Sequence, residues 1–187
     1  MIQESQLLSI IEHTLLKAEA SREDIIRLCQ EAIHYGAATV FTHGYYTPLV
    51  AQEIDIVLNI GAMKSGEFDV VYRDVCGVRE ACADRAILKV ILETCLLTRE
   101  EKIRACEICV KAGADFVKTS TGLSYGGATL EDVRLMREVV GDRAKVKAAG
   151  GIRTLAQAMA MVEAGADRIG TSSMLTIARE LEAKAHA

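Results

Sequence analysis

Little proline, no excess of positive charge and no long hydrophobic run characterise this chain of 187 residues. One proline among unpatterned glycines excludes collagen-like order. The 22 Lys and Arg residues face 26 Asp and Glu, a formal net charge of −4, so a partner such as nucleic acid or an anionic membrane is not expected. No apolar stretch reaches the roughly 18–20 residues that a membrane span needs. The first residues carry Glu4 and Glu12 and no basic start, so they do not read as a secretory signal. The four histidines, His13, His34, His43 and His186, are not at metal-ligand spacings. There is no dinucleotide fingerprint and no P-loop. No Gly/Ser/Pro-rich linker divides the chain, so one domain over residues 1–187 is expected, with neither metal nor cofactor.

What the chain has is apolar substance and alternation. Half of its residues are hydrophobic, which excludes disorder and suffices for a core. Six cysteines without a signal point to reduced thiols and a cytoplasmic location. Cys106 and Cys109 have redox-like spacing, but they fall mid-helix with no second ligand pair and read as core residues. Strand-like runs occur at 38–42, 54–60, 86–93, 115–119, 145–149 and 167–171, with a short first strand near 11–14. Between them lie helical patterns with hydroxyl starts and glycine stops: Ser21 to Gly36, Thr98 to Gly113, Thr129 to Gly141, Thr154 to Gly165. The order is β-α throughout, which gives a parallel α/β sheet with helices outside. A short repeat favours a barrel of equivalent units. Ala112-Gly-Ala-Asp115 leads to Thr119-Ser120 just as Ala164-Gly-Ala-Asp167 leads to Thr171-Ser172.

Several strands break the apolar rule for a covered parallel sheet. Asp55 sits within Ile54–Leu58, Lys89 within Ile87–Leu92, and Lys118 and Lys147 stand near the ends of consecutive strands. Burial of such charges is costly unless they are paired or their pKa values shift. In a barrel they can point into the lumen near the strand C-termini, where active sites of this architecture lie. A lysine beside a second cation is more readily neutral and hence nucleophilic, and a carboxylate such as Asp55 can move protons, as Schiff-base chemistry on a carbonyl requires. The other reading is structural: solvated strand ends, with Lys89 and Asp55 as an internal ion pair and Lys145 as a solvated edge residue. A second group, Ala149-Gly150-Gly151-Ile152 and Gly170-Thr171-Ser172-Ser173, has the glycines and hydroxyls of a phosphate site at the loops after the last two strands. Ordinary βα turn chemistry is its alternative.

The chain resembles deoxyribose-phosphate aldolase over nearly its whole length. The resemblance is carried by Ile54-Asp-Ile-Val-Leu58, Leu88-Lys-Val-Ile-Leu-Glu-Thr94, Phe116-Val-Lys-Thr-Ser-Thr-Gly122, Gly126-Gly-Ala-Thr129, Val146-Lys-Ala-Ala-Gly-Gly-Ile-Arg-Thr154 and Arg168-Ile-Gly-Thr-Ser-Ser173. It implies a TIM (βα)8-type barrel and a metal-free class I aldolase. The implied substrate is a phosphorylated sugar, 2-deoxy-D-ribose 5-phosphate, cleaved to D-glyceraldehyde 3-phosphate and acetaldehyde in deoxyribonucleoside catabolism. By motif position it implies Lys118 as the Schiff-base lysine, Lys147 as the second lysine and Asp55 as the proton-relay carboxylate. Gly150, Gly151, Ser172 and Ser173 would hold the phosphate. Lys89 is taken as a supporting residue of the site.

The chain departs from that pattern in one large respect. Only seven strands are found, and one βα unit of the family, with a Gly-Phe-Pro-like turn, has no counterpart between Thr42 and the strand of Asp55. Smaller departures are Thr42-His-Gly44 in place of an Asn-Pro turn, Ala149 in place of Ser and Glu12 in place of Asp. Seven strands leave two edges. Rearrangement would close them, a second copy in a homo-oligomer would cover them, or they would stay open, expose the lumen to water and weaken pKa control. A relative that has lost catalysis but still binds a sugar phosphate or anion is the alternative function.

Overall fold

The computed structural model describes residues 2–16, 21–41, 53–82 and 86–185. Its strands are β1 (Ile11–Thr14), β2 (Thr39–Phe41), β3 (Glu53–Val57), β4 (Ile87–Ile91), β5 (Phe116–Lys118), β6 (Lys145–Ala149) and β7 (Arg168–Thr171). Its α-helices are α1 (Arg22–Tyr35), α2 (Ile60–Lys64), α3 (Phe68–Cys82), α4 (Arg99–Lys111), α5 (Leu130–Val140), α6 (Leu155–Glu163) and α7 (Met174–Ala185). All seven strands belong to one sheet in the order β2-β1-β7-β6-β5-β4-β3, and every pairing is parallel.

Side chains show that this sheet is curled. Arg168 on β7 and Glu53 on β3 are four strands apart in the order. Four interstrand spacings in a flat sheet come to about 19 Å. Yet Arg168 Nη1 lies 2.7 Å from Glu53 Oε1, and Lys89 Nζ on β4 lies 3.3 Å from Glu12 Oε1 on β1. The first and last strands, β1 and β7, are neighbours, as barrel closure demands. The result is a TIM-type barrel of seven strands. It stays open between β2 and β3, each of which has a single strand neighbour among the described residues. The expected gap falls here. Residues 42–52, including Thr42, His43 and Gly44, lie outside the described residues, as does His186.

Local chemistry explains the elements. Ser21 Oγ accepts from the Asp24 N–H at 3.2 Å, and the Asp24 carboxylate accepts from the Ser21 N–H at 3.0 Å. Thr98 with Glu101 and Thr154 with Gln157 repeat this reciprocal cap, each cap contributing about 1 kcal/mol. Gly36 ends α1 at φ 65°, a left-handed conformation that favours glycine. The expected strand over 54–60 stops at Val57, because Asn59 caps a helix: its Oδ1 accepts from the Ala62 N–H at 3.1 Å.

The sequence repeat has a physical cause. Asp115 Oδ2 accepts from the Leu88 N–H of the preceding strand at 2.8 Å and from Arg79 Nη1 at 2.9 Å. Asp167 Oδ2 likewise accepts from the Val146 N–H at 2.7 Å and from Arg137 Nη2. Each aspartate thus caps the start of the neighbouring strand and tethers the helix that leads into that strand, α3 or α5. Cys106 and Cys109 are fully buried on α4, and burial pushes the Cys106 thiol up to about 12. Such thiols remain protonated and inert.

Candidate active site

Three lysines, Lys89, Lys118 and Lys147, head the fully buried side chains of the molecule. Strand register brings them together. Asp55 on β3 pairs with Lys89 on β4, and Lys118 on β5 pairs with Lys147 on β6. The Asp55 carboxylate touches all three amines. Oδ1 accepts from Lys89 Nζ at 2.9 Å, and Oδ2 accepts from Lys118 Nζ at 2.8 Å and Lys147 Nζ at 3.1 Å. Glu12 on β1 meets Lys147 Nζ through Oε2 and Arg168 Nη1 through Oε1 at 3.3 Å. Glu53 accepts from Lys89 at 2.6 Å and from Arg168.

Four cations therefore share three carboxylates. Burial alone raises the Asp55 pKa, but the charges of Lys147, Lys118 and Lys89 outweigh it and hold the carboxyl well below the usual range. Burial opposes the Lys89 ammonium too, yet Glu12, Asp55 and Glu53 together raise its pKa, so Lys89 is a fixed cation. At Lys147 the balance falls the other way. Burial, aided by Lys118 and Lys89, lowers its pKa to about 8 against the pull of Glu12 and Asp55. Burial, helped by the neighbouring ammonium groups, thus loosens the proton on Lys147.

Above this cluster opens a cavity of about 390 Å³ lined by Lys118, Lys147, Gly150, Gly151 and Ser172. Gly150 and Gly151 have φ of 93° and 79°. The Gly150 carbonyl accepts from the Ala128 N–H at 3.0 Å, and a Cβ on Gly127 would lie 2.4 Å from that carbonyl oxygen. The paired glycines of the two loops therefore permit backbone contact, while the space beside Gly151 is open. Ser172 is exposed at the mouth. Ser173 does not line the cavity. It stands at the start of α7, where its carbonyl accepts from the Thr176 and Ile177 N–H groups. Among the described residues no three His, Cys, Asp or Glu side chains are grouped as metal ligands would be.

The structure also recruits residues that were not singled out as site candidates from the sequence. Arg168 stands in a family motif, Glu12 is a departure from the family pattern, and Glu53 carries no such mark. Each is a charge at or beside the start of a strand, and the rule that flagged Asp55 applies to Glu12 as well. Gly170 makes room for the Lys147 stem: a Cβ there would lie 3.2 Å from Lys147 Cε. Glu93, at φ 50°, accepts from Thr121 Oγ1 at 2.5 Å and ties down the loop over the cavity. Thr119 Oγ1 donates to the Ala149 carbonyl and accepts from its N–H, both at 3.0 Å, which locks the ends of β5 and β6 together.

A profile of the "DeoC/LacD family aldolase" matches residues 49–179. The chain belongs to the DeoC/LacD aldolase family. A deoxyribose-phosphate aldolase of Thermococcus gammatolerans is 48% identical over an alignment that covers 89% of this chain and 92% of that protein. One from a Geobacillus species is 45% identical, with 93% and 95% covered. The Thermococcus alignment runs over 208 positions, more than the 187 residues of this chain. Stretches of that DeoC/LacD relative thus have no counterpart here, in keeping with a seven-stranded barrel. Among solved structures, an aldolase designated QR15 superposes with a TM-score of 0.92 at 36% identity, covering 96% of this chain and 97% of that one. The deoxyribose phosphate aldolase of Aeropyrum pernix, described as tetrameric, gives 0.82 at 28% identity, with 97% and 93% covered.

Proposed function

We propose that this chain is a class I aldolase that cleaves 2-deoxy-D-ribose 5-phosphate to D-glyceraldehyde 3-phosphate and acetaldehyde through a Schiff base on Lys118. The observation that carries this reading is that Lys118 Nζ and Lys147 Nζ share one carboxylate oxygen of Asp55 at the floor of the cavity. The activity named for the relatives supports the same substrate, and the place of the reaction is deoxyribonucleoside catabolism.

In this mechanism Lys147 gives up its loosened proton, and Asp55, in contact with both amines, passes a proton from Lys118 to it. Neutral Lys118 attacks C1 of the open-chain sugar. The Nζ–C1 bond forms, the carbonyl oxygen takes up two protons and leaves as water, and a protonated iminium remains. The C3 hydroxyl then loses its proton to the Asp55–Lys147 relay through water. The C2–C3 bond breaks, its electron pair moves towards the iminium, and an enamine of acetaldehyde is left on Lys118. Protonation at C2 and hydrolysis return the amine. Lys89, a fixed cation on the far oxygen of Asp55, keeps the carboxylate oriented. Gly150, Gly151 and Ser172, which line the cavity, hold the phosphate, with Ser173 beside them at the start of α7. Binding there orients carbons several bonds away.

A cytoplasmic location fits the six cysteines, none of which is in a disulfide. No helix among the described residues is long and apolar enough to cross a membrane. We assign the open edges to a homo-oligomer; the tetrameric Aeropyrum relative is a precedent for assembly.

Borohydride reduction in the presence of deoxyribose 5-phosphate, followed by peptide mass mapping, tests the function. A reduced adduct on Lys118 that disappears in Lys118→Ala is expected. A folded chain that forms no adduct sinks the aldolase reading.

A further inference from the structure

We infer that Phe41 is a further functional residue, whose aromatic face holds the positive charge of the Lys118 nitrogen when it becomes an iminium. This inference rests on the Schiff-base role proposed for Lys118. The Phe41 ring centroid lies 4.2 Å from Lys118 Nζ and 4.9 Å from Lys147 Nζ. Both distances are well within the range at which a cation is attracted to the negative face of an aromatic ring. Phe41 also lines the same cavity as the two amines.

The placement is specific. Phe41 is the last residue of β2, an end strand whose one hydrogen-bonded neighbour among the described residues is β1. Lys147 and Lys118 lie on β6 and β5, so the ring reaches them across the lumen rather than along the sheet. Its backbone is anchored, because the Leu15 N–H donates to the Phe41 carbonyl at 2.9 Å. The ring therefore stands on the side where the described residues have no strand pairing, over the amines that the chemistry needs dry. Lys118 and Lys147 are only 1% exposed despite that opening.

An aromatic face has a chemical advantage over a carboxylate at this point. It attracts a cation without offering a lone pair for a proton. A second carboxylate there, added to Asp55, would hold the amine more firmly as its ammonium and oppose the neutral form that attacks. The ring instead lowers the energy of the iminium formed afterwards, and its apolar body keeps water from hydrolysing that iminium before the C2–C3 bond breaks. Phe68 and Phe116, the other two phenylalanines, have no contact of this kind with Lys118: their cation partners are Arg104 for Phe68, and Lys145 and Arg168 for Phe116.

The test is to replace Phe41 in the full chain with mono-, di- and trifluorophenylalanine, which drain the negative ring face while nearly keeping its shape. Two readouts are followed: borohydride trapping of the Lys118 iminium with acetaldehyde alone, and kcat/KM for deoxyribose 5-phosphate. A stepwise fall is expected, reaching about tenfold in both at the trifluoro stage. Inhibition by inorganic phosphate should be unchanged, Phe41→Tyr should retain activity, and Phe41→Leu should lose at least as much as the trifluoro variant. A flat series with a normal Lys118 adduct overturns the role of the ring and leaves the aldolase reading standing. Absence of any adduct in the unsubstituted chain overturns both.

Discussion

The strands in the middle of the sheet and those at its ends have different surroundings although they share one architecture. In β4 the four residues after Ile87 are buried, and all of β5 is buried. No residue of β2 or β3 reaches that state. The helices follow suit. Cys106 and Cys109 on α4 are fully buried, whereas α1, next to the open side, buries Ile25, Leu28 and Ala32 but leaves Ile26 and Ile33 46% and 81% exposed. A βα unit buries its neighbours on both sides, so a missing unit exposes the flanks of the gap. Yet the Asp55 side chain, on the end strand β3, is only 2% exposed. What buries it is the ring of lysines reaching across the lumen. The functional cluster is thus held by charge pairing across the barrel and does not depend on a closed ring of strand hydrogen bonds.

Lys118→Ala should give the largest effect. It removes the proposed nucleophile from the well-packed side and should lower turnover by a factor on the order of 10⁴–10⁶ in a steady-state assay. Turnover within tenfold of the unsubstituted chain would mean that the chemistry does not lie on this side. Next, Asp55→Ala leaves three buried ammonium groups without their shared partner. Loss of one member of a buried charge cluster costs about 3–5 kcal/mol, to be read from urea unfolding. A cost below 1 kcal/mol would show that the β3 flank is already wet and that the contrast drawn above is wrong for Asp55.

A pH series sharpens the contrast further. Lys147 titrates at about 8 in the folded chain against an ordinary 10.5. Between those values the unfolded chain holds the extra proton, so stability should rise with pH, by about 3 kcal/mol from this group alone. Below about 8 both states are protonated and the contribution is flat. In the activity profile, kcat/KM should climb as pH rises towards 8 and then level. Glu12→Gln removes a charge that raises the Lys147 pKa, so its profile should break at lower pH. An unshifted break would remove Glu12 from the electrostatic control of Lys147. The smallest effect is expected at Ile33→Ser, within about 0.5 kcal/mol as for an ordinary surface position, beside about 2–5 kcal/mol for the buried Leu28→Ala of the same helix. A large cost at Ile33, together with a concentration-dependent melting temperature, would show that a second copy covers the open side.

Much of the candidate site was legible because charge inside an apolar strand is conspicuous. Asp55, Lys89, Lys118 and Lys147 all carry that signal, and the glycine pairs announce close backbone approach. Glu12, Glu53 and Arg168 were harder to single out, because charge near the start of a strand is ordinarily solvated. Phe41 carried no signal at all. An apolar residue in a strand is the default, and only its position opposite two amines gives it significance. Ser173 reads from sequence like its neighbour Ser172, and the turn into α7 separates the two.

By itself the sequence determined the alternation of strands and helices, through caps, glycine stops and apolar runs that act within a few residues. It also determined which charges could not be left in water's absence without partners. The tertiary structure decided which partners they found, because ion pairs between β1, β3 and β7 span most of the chain and depend on how far the sheet curls. It also decided which lysine holds its proton loosely. That outcome is set by the summed field of four cations and three carboxylates in a dry lumen, a quantity that no local stretch of residues contains.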